Sequence, residues 1–397
     1  MIILQGTYNT AKVFTNTLDK ETKAQIENLL EQPFVQGSKI RIMPDTHAGA
    51  GSTIGTTMTI KEKVVPHMVG VDIGCGMETI VLKEEKVDVK KLDAVIHQHI
   101  PGGFAVRKTP HLLTEKTEIA QLRCRNQVNL QRAYLSIGTL GGGNHFIEVA
   151  KGEKGKLYLI IHSGSRNLGL QVADYYQRQA VAYQKRNSEA GKAFIEKATI
   201  SGKEKEIGKR IKKIPLPKGM SKSLAWLEGK EMEDYLFDMN IVQKYADVNR
   251  KAIAQEIITR MKFSVERSFS TIHNYIDLEK GILRKGAISA KAGEEVLIPM
   301  NMRDGSLLCV GKGNEDWNCS APHGAGRIMS RREAKERISL TAYQESMRGI
   351  FSSTVNSTTL DEAPYAYKPI EEIMGNIIDT VQIKERLIPI YNFKAAE

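Results

Sequence analysis

The fold of this chain has to be built around one stretch, Asn318-Cys319-Ser320-Ala321-Pro322-His323-Gly324-Ala325-Gly326-Arg327-Ile328-Met329-Ser330-Arg331, which places a histidine, two glycines and two arginines in a short turn. Glycines let backbone amides come close to an anion, and residues 328–334 read as the start of a helix aimed at that anion. On such a helix Arg327 and Arg331 share one face and hold a second phosphate. The stretch predicts a phosphate-binding turn in which His323 is a candidate nucleophile. The alternative is a glycine-rich turn with a surface histidine.

The composition is that of an ordinary soluble globular protein. Of 397 residues, 41% are hydrophobic and 26% are charged, and no stretch approaches the roughly 18 apolar residues that a membrane helix requires. The first residues lack the pattern of a secretion signal, so we expect a cytoplasmic protein without membrane contacts. The 4 cysteines form no CxxC pair, which favours reduced thiols over a disulfide framework or a zinc ribbon.

The charge balance favours a polyanionic partner. Lys and Arg number 57 against 46 Asp and Glu, a net charge of +11, which suits nucleic acid, although many basic proteins bind none. Lys and Arg outnumber Glu in residues 203–213, which precede Pro215 and Pro217. This segment is either a solvated charged surface or a contact surface for the phosphates of a folded RNA.

Hydrophobic periodicity predicts several elements around the candidate site. Residues 20–31 have helical spacing, with Thr17 or Asp19 as the cap. Residues 39–43 alternate like a strand and lead into a polar, glycine-rich loop at 44–52. Residues 157–161 are typical of a buried strand that delivers His162 at its end, and residues 269–275 are a candidate strand containing His273. Residues 171–197 and 224–262 are predicted to be mainly helical.

A metal site is predicted from one loop and three distant histidines. Asp72 and Cys75 offer a hard oxygen and a soft sulfur to a borderline divalent metal. His145, His162 and His273 each lie in a junction that is rich in glycine, asparagine or serine. Together these residues form an Asp/Cys/His₃ set, sufficient for two adjacent metals bridged by the thiolate. The alternative is a small buried cysteine and hydrogen-bonded core histidines.

Six ordered motifs also occur together in one known family. They are Met43-Pro44-Asp45-Thr46-His47 with Gly51-Ser52-Thr53-Ile54-Gly55, Val69-Gly70-Val71-Asp72-Ile73-Gly74-Cys75-Gly76-Met77, Gly138-Thr139-Leu140-Gly141-Gly142-Gly143-Asn144-His145-Phe146-Ile147-Glu148, His162-Ser163-Gly164-Ser165-Arg166, Arg284-Lys285-Gly286-Ala287-Ile288-Ser289-Ala290 and His323-Gly324-Ala325-Gly326-Arg327. In these motifs the chain resembles the RtcB-type RNA ligases over nearly its whole length. That family uses GTP to join RNA 3′-phosphate or 2′,3′-cyclic phosphate ends to 5′-hydroxyl ends in RNA splicing or repair.

The resemblance implies a fold and a partner set. The expected fold is α+β, a single compact domain with central β-sheets flanked by helices around a dinuclear metal cleft. It would cover residues 1–397, with a helical, basic insertion at about 170–262. No domain linker is evident, because the candidate site residues are scattered from Asp45 to Lys394 and must converge. Some relatives use an accessory protein called archease, so an activator of that kind is an implied partner beside the RNA.

The resemblance also implies a role for each site residue. Two Mn(II) ions would be held with Cys75 as the bridge, and His323 would be the nucleophile that receives GMP from GTP. The implied metal ligands are Asp72, Cys75, His145, His162 and His273; the nucleotide contacts are Asn144, Glu148, Ser306, Tyr367 and Lys394; and the contacts to phosphate or RNA are Arg166, Arg327 and Arg331.

Two other functions compete with RNA ligation. A two-metal phosphoesterase would use the same Asp/Cys/His set with bound water as nucleophile and no covalent nucleotide. It has no need of His323 in an anion-binding turn outside the metal set. A non-catalytic RNA-binding protein is the third reading, and the presence of every metal-set residue and of His323 argues against it.

Overall fold

Two large β-sheets and the helices around them form the chain in a computed structural model, which describes residues 1–202 and 207–395. The described strands are β1 (Ile2–Gln5), β2 (Thr10–Val13), β3 (Ile40–His47), β4 (Ile54–Thr59), β5 (Lys63–Val64), β6 (Gly76–Leu82), β7 (Phe146–Lys151), β8 (Leu157–Ser163), β9 (Leu227–Glu228), β10 (Val265–Ile272), β11 (Asn274–Asp277), β12 (Ile282–Lys285), β13 (Ala287–Ser289), β14 (Glu295–Asn301), β15 (Gly305–Gly311), β16 (Ser320–Pro322) and β17 (Val381–Lys394). The described α-helices are α1 (Lys20–Leu30), α2 (Pro66–Val69), α3 (Val89–His99), α4 (Leu130–Ser136), α5 (Arg166–Asn187), α6 (Glu189–Ile200), α7 (Ile207–Ile211), α8 (Gly229–Met261), α9 (Arg331–Arg337), α10 (Leu340–Ser346) and α11 (Ile370–Asn376).

The larger sheet has seven strands in the order β10-β6-β8-β7-β17-β15-β14, all antiparallel neighbours. The sheet is curled, since its two edge strands approach each other and the backbone amide of Leu297 on β14 donates to the hydroxyl of Thr271 on β10. The second sheet has six strands in the order β1-β2-β3-β4-β12-β11. With helices packed against both sheets, the architecture is α+β, as the family resemblance implied.

Helix α8 joins the two sheets. Its first half, including Met239 and Val242, is buried in a cluster with Ile40 and Ile42 of the six-stranded sheet. Its second half, including Ile253, is buried in a different cluster with strands of the seven-stranded sheet. A helix with apolar residues around most of its circumference is stable only when it is enclosed in this way. α8 therefore fixes the relative position of the two sheets, whose facing ends contain the site.

α8 also directly supports the loop that contains Asp72 and Cys75. The buried Arg250 donates from Nη1 to the carbonyl oxygens of Gly74 and Ser163, at 2.7 and 3.0 Å. Asn249, also buried, accepts from the backbone amides of Gly138 and Thr139 at 2.8 and 3.1 Å. Three loops that approach the sheet edge are therefore held by one helix, because buried polar side chains satisfy their backbone groups.

Most predicted elements are confirmed. Helix α1 begins after Asp19, which accepts from the amide of Thr22 at 2.9 Å, and β8 contains the predicted apolar run with His162. The predicted helix over 171–197 is two helices, since Ser188 ends α5 and caps α6. None of the helices in the described part of the chain combines the length and apolar content that a bilayer-spanning segment requires.

Three predictions of local structure were wrong. The motif ending at His47 lies within β3 and not in a loop. The candidate strand over 269–275 is two strands of different sheets, β10 and β11, which meet at His273. Helix α9 begins only at Arg331, because the hydroxyl of Ser330 caps it, so Arg327 precedes the helix. Of the predicted basic segment 203–217, residues 203–206 and the side chain of Lys209 lie outside the described residues.

Candidate active site

Four strand ends deliver the predicted cysteine and histidines to one edge of the seven-stranded sheet. Cys75 precedes β6, His145 precedes β7, His162 is near the end of β8 and His273 follows β10. The strands β10, β6, β8 and β7 are adjacent, and the register pairs Ile272 with the start of β6 and His162 with the start of β7. Neighbouring antiparallel strands run in opposite directions, so β6 and β7 begin beside the residues at which β8 and β10 end. Residues that are distant in the sequence therefore meet at these strand ends.

Cys75 lies at the centre of this cluster. Its Sγ is 3.4 Å from Nε2 of His145 and 3.3 Å from Nε2 of His162, and the ligand atoms of the three buried residues lie within 4.8 Å of one another. Each histidine donates from Nδ1 to a backbone carbonyl, at 2.9 and 3.0 Å. These hydrogen bonds fix the tautomer, so both Nε2 lone pairs are directed at the thiol.

Asp72 extends the cluster on one side and His273 on the other. Oδ2 of Asp72 is 3.0 Å from Nε2 of His145, and its Oδ1 accepts from the amide and hydroxyl of Ser165 at 2.8 and 3.0 Å. Gly164 allows this approach, because a Cβ there would lie 2.2 Å from Oδ1. The ring of His273 has its centroid 5.2 Å from that of His162.

The donor set fits a metal cation. With Nδ1 of His145 donating to a carbonyl, its Nε2 faces a carboxylate oxygen and a sulfur, so a cation, either a proton or a metal ion, is needed to hold these atoms together. A carboxylate, a thiol and imidazoles together suit a borderline divalent metal. The described residues thus support the predicted type of metal site.

Burial sets the protonation of these groups. Burial opposes ionisation of Asp72, but the hydrogen bond and charge of His145 and the charge of Arg166 outweigh it and hold the pKa of Asp72 below its usual range. Burial also lowers the pKa of His162 and His273 well below the usual value, so both imidazoles are neutral, as ligands must be. Burial, then the charge of Asp72, raises the pKa of the Cys75 thiol, so a bound metal has to displace its proton.

His323 stands beside the cluster, with its ring centroid 4.8 Å from that of His273. It follows β16, which pairs with β13. Both Nδ1 and the backbone amide of His323 donate to Oδ2 of the buried Asp45, at 2.7 and 3.2 Å. Gly326 packs against the same strand, with φ of 75° and a Cβ position only 2.2 Å from the carbonyl oxygen of Asp45. Only glycine allows this approach.

Asp45 is a candidate site residue for which the sequence indicated no role. Its hydrogen bond with Nδ1 orients the ring of His323 and favours the tautomer with the lone pair on Nε2. The motif Pro44-Asp45-Thr46-His47 was the available signal, but nothing in it indicates a partner 278 residues away.

A cavity of about 300 Å³ lies between His323 and the sheet edge. Its lining includes the residues predicted to contact nucleotide and two of the three predicted arginines: Asn144, Glu148, Ser306, Tyr367, Lys394, Arg327 and Arg331. Arg166 lies outside it and lines a second groove, with Nη1 3.3 Å from Nδ1 of His145. The structure therefore separates Arg166 from the other two arginines.

The basic and phenolic groups of the cavity meet on one buried carboxylate, Glu362. It contacts Arg327 at 3.2 Å, Arg331 at 2.8 Å and the hydroxyl of Tyr367 at 2.6 Å, and it also forms an ion pair with Lys394. Burial opposes its ionisation, but the charges of Lys394, Arg331 and Arg327 outweigh burial and lower the pKa of Glu362 to about 2. Sequence reasoning missed Glu362, because no local pattern distinguishes it from a surface glutamate. Arg327 and Arg331 converge here and not on a shared helix face.

These features define a class of enzyme site: a buried cluster of metal-ligand side chains beside an oriented histidine, in a cavity lined by basic groups suited to phosphate. Comparison with known proteins gives the family. The family model described as tRNA-splicing ligase RtcB matches residues 25–395. The chain is similar to RNA-splicing ligase RtcB of Escherichia coli (strain K12), with 30% identity and 92% of each chain covered.

Archaeal relatives are similar over most of their length. The tRNA-splicing ligases RtcB of Aeropyrum pernix and Archaeoglobus fulgidus are each 26% identical to the chain, covering 88% and 90% of it and 86% and 87% of the relatives. The chain belongs to the RtcB family and is an enzyme of the RNA-ligase class.

Proposed function

We propose that the chain joins RNA 3′-phosphate or 2′,3′-cyclic phosphate ends to 5′-hydroxyl ends through a histidine–GMP intermediate on His323, using GTP and Mn(II), in RNA splicing or repair. Family membership supports the RNA-ligase part. The site geometry supports the covalent part.

The observation that carries the proposal is the 2.7 Å hydrogen bond between Nδ1 of His323 and Asp45. It leaves the Nε2 lone pair to attack the α-phosphorus of GTP, so a phosphorus–nitrogen bond forms and the bond to pyrophosphate breaks. The ring becomes positively charged at that moment. Asp45 stabilises this charge by keeping the Nδ1 proton in its hydrogen bond, as the aspartate of a hydrolase triad does for its imidazolium.

The metal proposal assigns two Mn(II) ions to Asp72, Cys75, His145, His162 and His273, with Cys75 as the shared ligand. Its central position, within 3.4 Å of two imidazole nitrogens, supports this sharing. When bound, Mn(II) would neutralise charge on the phosphate oxygens.

The nucleotide is proposed to bind in the His323 cavity. Asn144 and Glu148 would contact the nucleotide, and Ser306, Tyr367 and Lys394 would lie around the guanine. In support, Oε1 of Glu148 and Oγ of Ser306 are buried and have no hydrogen-bond partner among the described residues. Such atoms are costly unless a ligand or water satisfies them.

RNA would then receive the nucleotide. The terminal 3′-phosphate oxygen attacks the phosphorus of the histidine–GMP, forming a 3′-diphosphate link to guanosine and releasing the imidazole; a cyclic phosphate is hydrolysed first. The 5′-hydroxyl of the second strand attacks the 3′-phosphate and expels GMP. Arg327 and Arg331 are proposed to hold phosphates in the cavity, and Arg166 to hold the RNA from its separate groove.

The proposal treats residues 1–397 as one catalytic domain acting in the cytoplasm. The helical, basic insertion at about 170–262 would include α8, which reaches both cores. The 4 free cysteines suit a reducing compartment.

The test is labelling with GTP that carries ³²P at the α-position, in Mn(II), followed by denaturing electrophoresis. We expect a labelled wild-type protein whose adduct survives hydroxide and breaks down in mild acid, as a phosphorus–nitrogen bond does. His323→Ala and His323→Asn should bind metal but form no adduct and join no ends. His97→Asn is the matched control, because His97 is exposed and lies outside the cavity.

A label that persists in His323→Ala, or maps to a lysine by mass spectrometry, would overturn the assignment of the nucleophile. A wild-type protein that processes RNA ends without any adduct would favour the two-metal phosphoesterase.

A further inference from the structure

One residue of the His323 cavity has no role so far. Asn392 lies on β17 directly opposite Glu148 on β7 in the strand register. Its Nδ2 donates to Oε2 of Glu148 at 2.8 Å. Both side chains are enclosed, with 1% of Asn392 and 2% of Glu148 exposed, and both line the cavity.

The other oxygen of each side chain is unsatisfied. Oε1 of Glu148 and Oδ1 of Asn392 are buried, and neither has a hydrogen-bond partner within the part of the chain that the structure describes. The donor and acceptor ends of the amide are fixed, because only Nδ2 is able to donate to a carboxylate. The pair therefore presents two acceptors to the cavity.

Two neighbouring acceptors select a particular base edge. Guanine offers N1–H next to the exocyclic 2-amino group, two donors side by side. Adenine offers its N1 acceptor next to the 6-amino donor, so one of its positions would face an acceptor with a lone pair. A buried acceptor left without a donor costs about 1–3 kcal/mol, so the acceptor pair favours guanine.

We infer that Asn392 is a specificity-determining residue for the nucleotide: its Oδ1 accepts from the 2-amino group of guanine while Oε1 of Glu148 accepts from N1–H. This inference rests on the proposed use of GTP. Asn392 also acts on Glu148 itself. Burial raises the pKa of Glu148 to about 8, against the hydrogen bond from Asn392 and the charge of Lys394. In the nucleotide-free protein the carboxyl is therefore largely protonated at neutral pH, and the Asn392 amide and the N1–H of guanine both favour its ionised, accepting form.

Inosine triphosphate tests the inference, because it retains N1–H and the 6-oxygen of GTP but lacks the 2-amino group. We would measure the second-order rate of adduct formation and the equilibrium dissociation constant for both nucleotides, in wild type and Asn392→Ala. Wild type should prefer GTP by about tenfold, the worth of one such hydrogen bond. In Asn392→Ala this ratio should fall to about one.

The ratio is internal to each preparation, so partial misfolding of the variant does not alter it. Asn376→Ala is the control, since among the described residues the Asn376 amide donates only to the carbonyl of Glu372 on its own helix; its ratio should match wild type. If Asn392 only positions Glu148, its replacement by alanine weakens the binding of GTP and inosine triphosphate equally. The preference for GTP then stays near tenfold in Asn392→Ala, which would overturn the inference. A wild-type ratio near one would overturn it as well.

Failure of the proposed function gives a different result. If wild type binds GTP but forms no adduct, the covalent mechanism is wrong, whereas the ratio of dissociation constants still reports on Asn392.

Discussion

Replacing Asp45 by asparagine should slow the formation of the histidine–GMP adduct while leaving the fold intact. The substitution preserves size and removes the charge from a side chain that is fully buried. It changes two bonds to His323, one from Nδ1 at 2.7 Å and one from the backbone amide at 3.2 Å. An amide oxygen is able to accept both, but it is neutral. If the asparagine side chain instead turns its nitrogen toward Nδ1, that nitrogen donates a hydrogen bond. Nδ1 must then accept, and the proton of the imidazole lies on Nε2.

The magnitude follows from these two cases. A hydrogen bond to a charged partner contributes about 1.5–3 kcal/mol, and each 1.36 kcal/mol is about tenfold in rate. If the bond to Asp45 strengthens fully as the imidazolium forms, its loss slows attack by roughly 10- to 150-fold. The turned amide adds a further loss, because Nε2–H has no lone pair for phosphorus.

The assay is the single-turnover rate of labelling by GTP at saturating Mn(II), with thermal unfolding to confirm the fold. Asp316→Asn is a matched control: Asp316 also bridges basic side chains, Lys12 and Arg41, but is half exposed and does not contact His323. It should label at the wild-type rate. Labelling of Asp45→Asn within about twofold of wild type would refute the role of Asp45 in fixing and stabilising the imidazole.

Three further outcomes are expected. Wild type should bind about two Mn(II) per chain, and Cys75→Ala should lose most of this metal by elemental analysis while remaining folded; unchanged metal content would exclude a bridging thiolate. Because burial raises the pKa of Glu148 from 4.5 to about 8 in the folded protein, its stabilising contribution is complete below about pH 4.5 and is lost as the pH rises to about 8. The nucleotide-free wild type should therefore lose stability relative to Glu148→Gln between pH 5 and 8 in chemical denaturation, and parallel profiles would contradict this pKa. Reversing the charge of Lys212 and Lys213 should weaken RNA binding and flatten its log–log salt dependence by about 0.7–0.9 per lost phosphate contact; an unchanged slope would make the segment a solvated surface.

The parts of the site that sequence predicts are those encoded locally. His162 was predictable because an uninterrupted apolar run can be satisfied only by a buried strand, and the first polar residue after it marks the sheet edge. The cap of α9 was also local information: Ser330 precedes Arg331, and weighing it would have corrected the helix start and the supposed shared face of Arg327 and Arg331.

The parts that sequence missed depend on pairings between distant strands. Whether residues 269–275 form one strand or two depends on which sheets accept β10 and β11, and the β-branched and aromatic residues are equally suited to both. The pairs Asp45–His323 and Glu148–Asn392 are separated by 278 and 244 residues. Their partners follow from sheet order and register, which a hydrophobic pattern leaves unspecified.

The position of β17 has a consequence for biosynthesis. This strand lies in the interior of the seven-stranded sheet, between β7 and β15, yet it comprises residues 381–394 and is synthesised after both of these neighbours. Until it leaves the ribosome, β7 and β15 each expose a row of unpaired backbone groups, the kind of edge that associates with other chains. A nascent chain therefore passes through a stage with an open sheet, when protection by a chaperone would be most valuable.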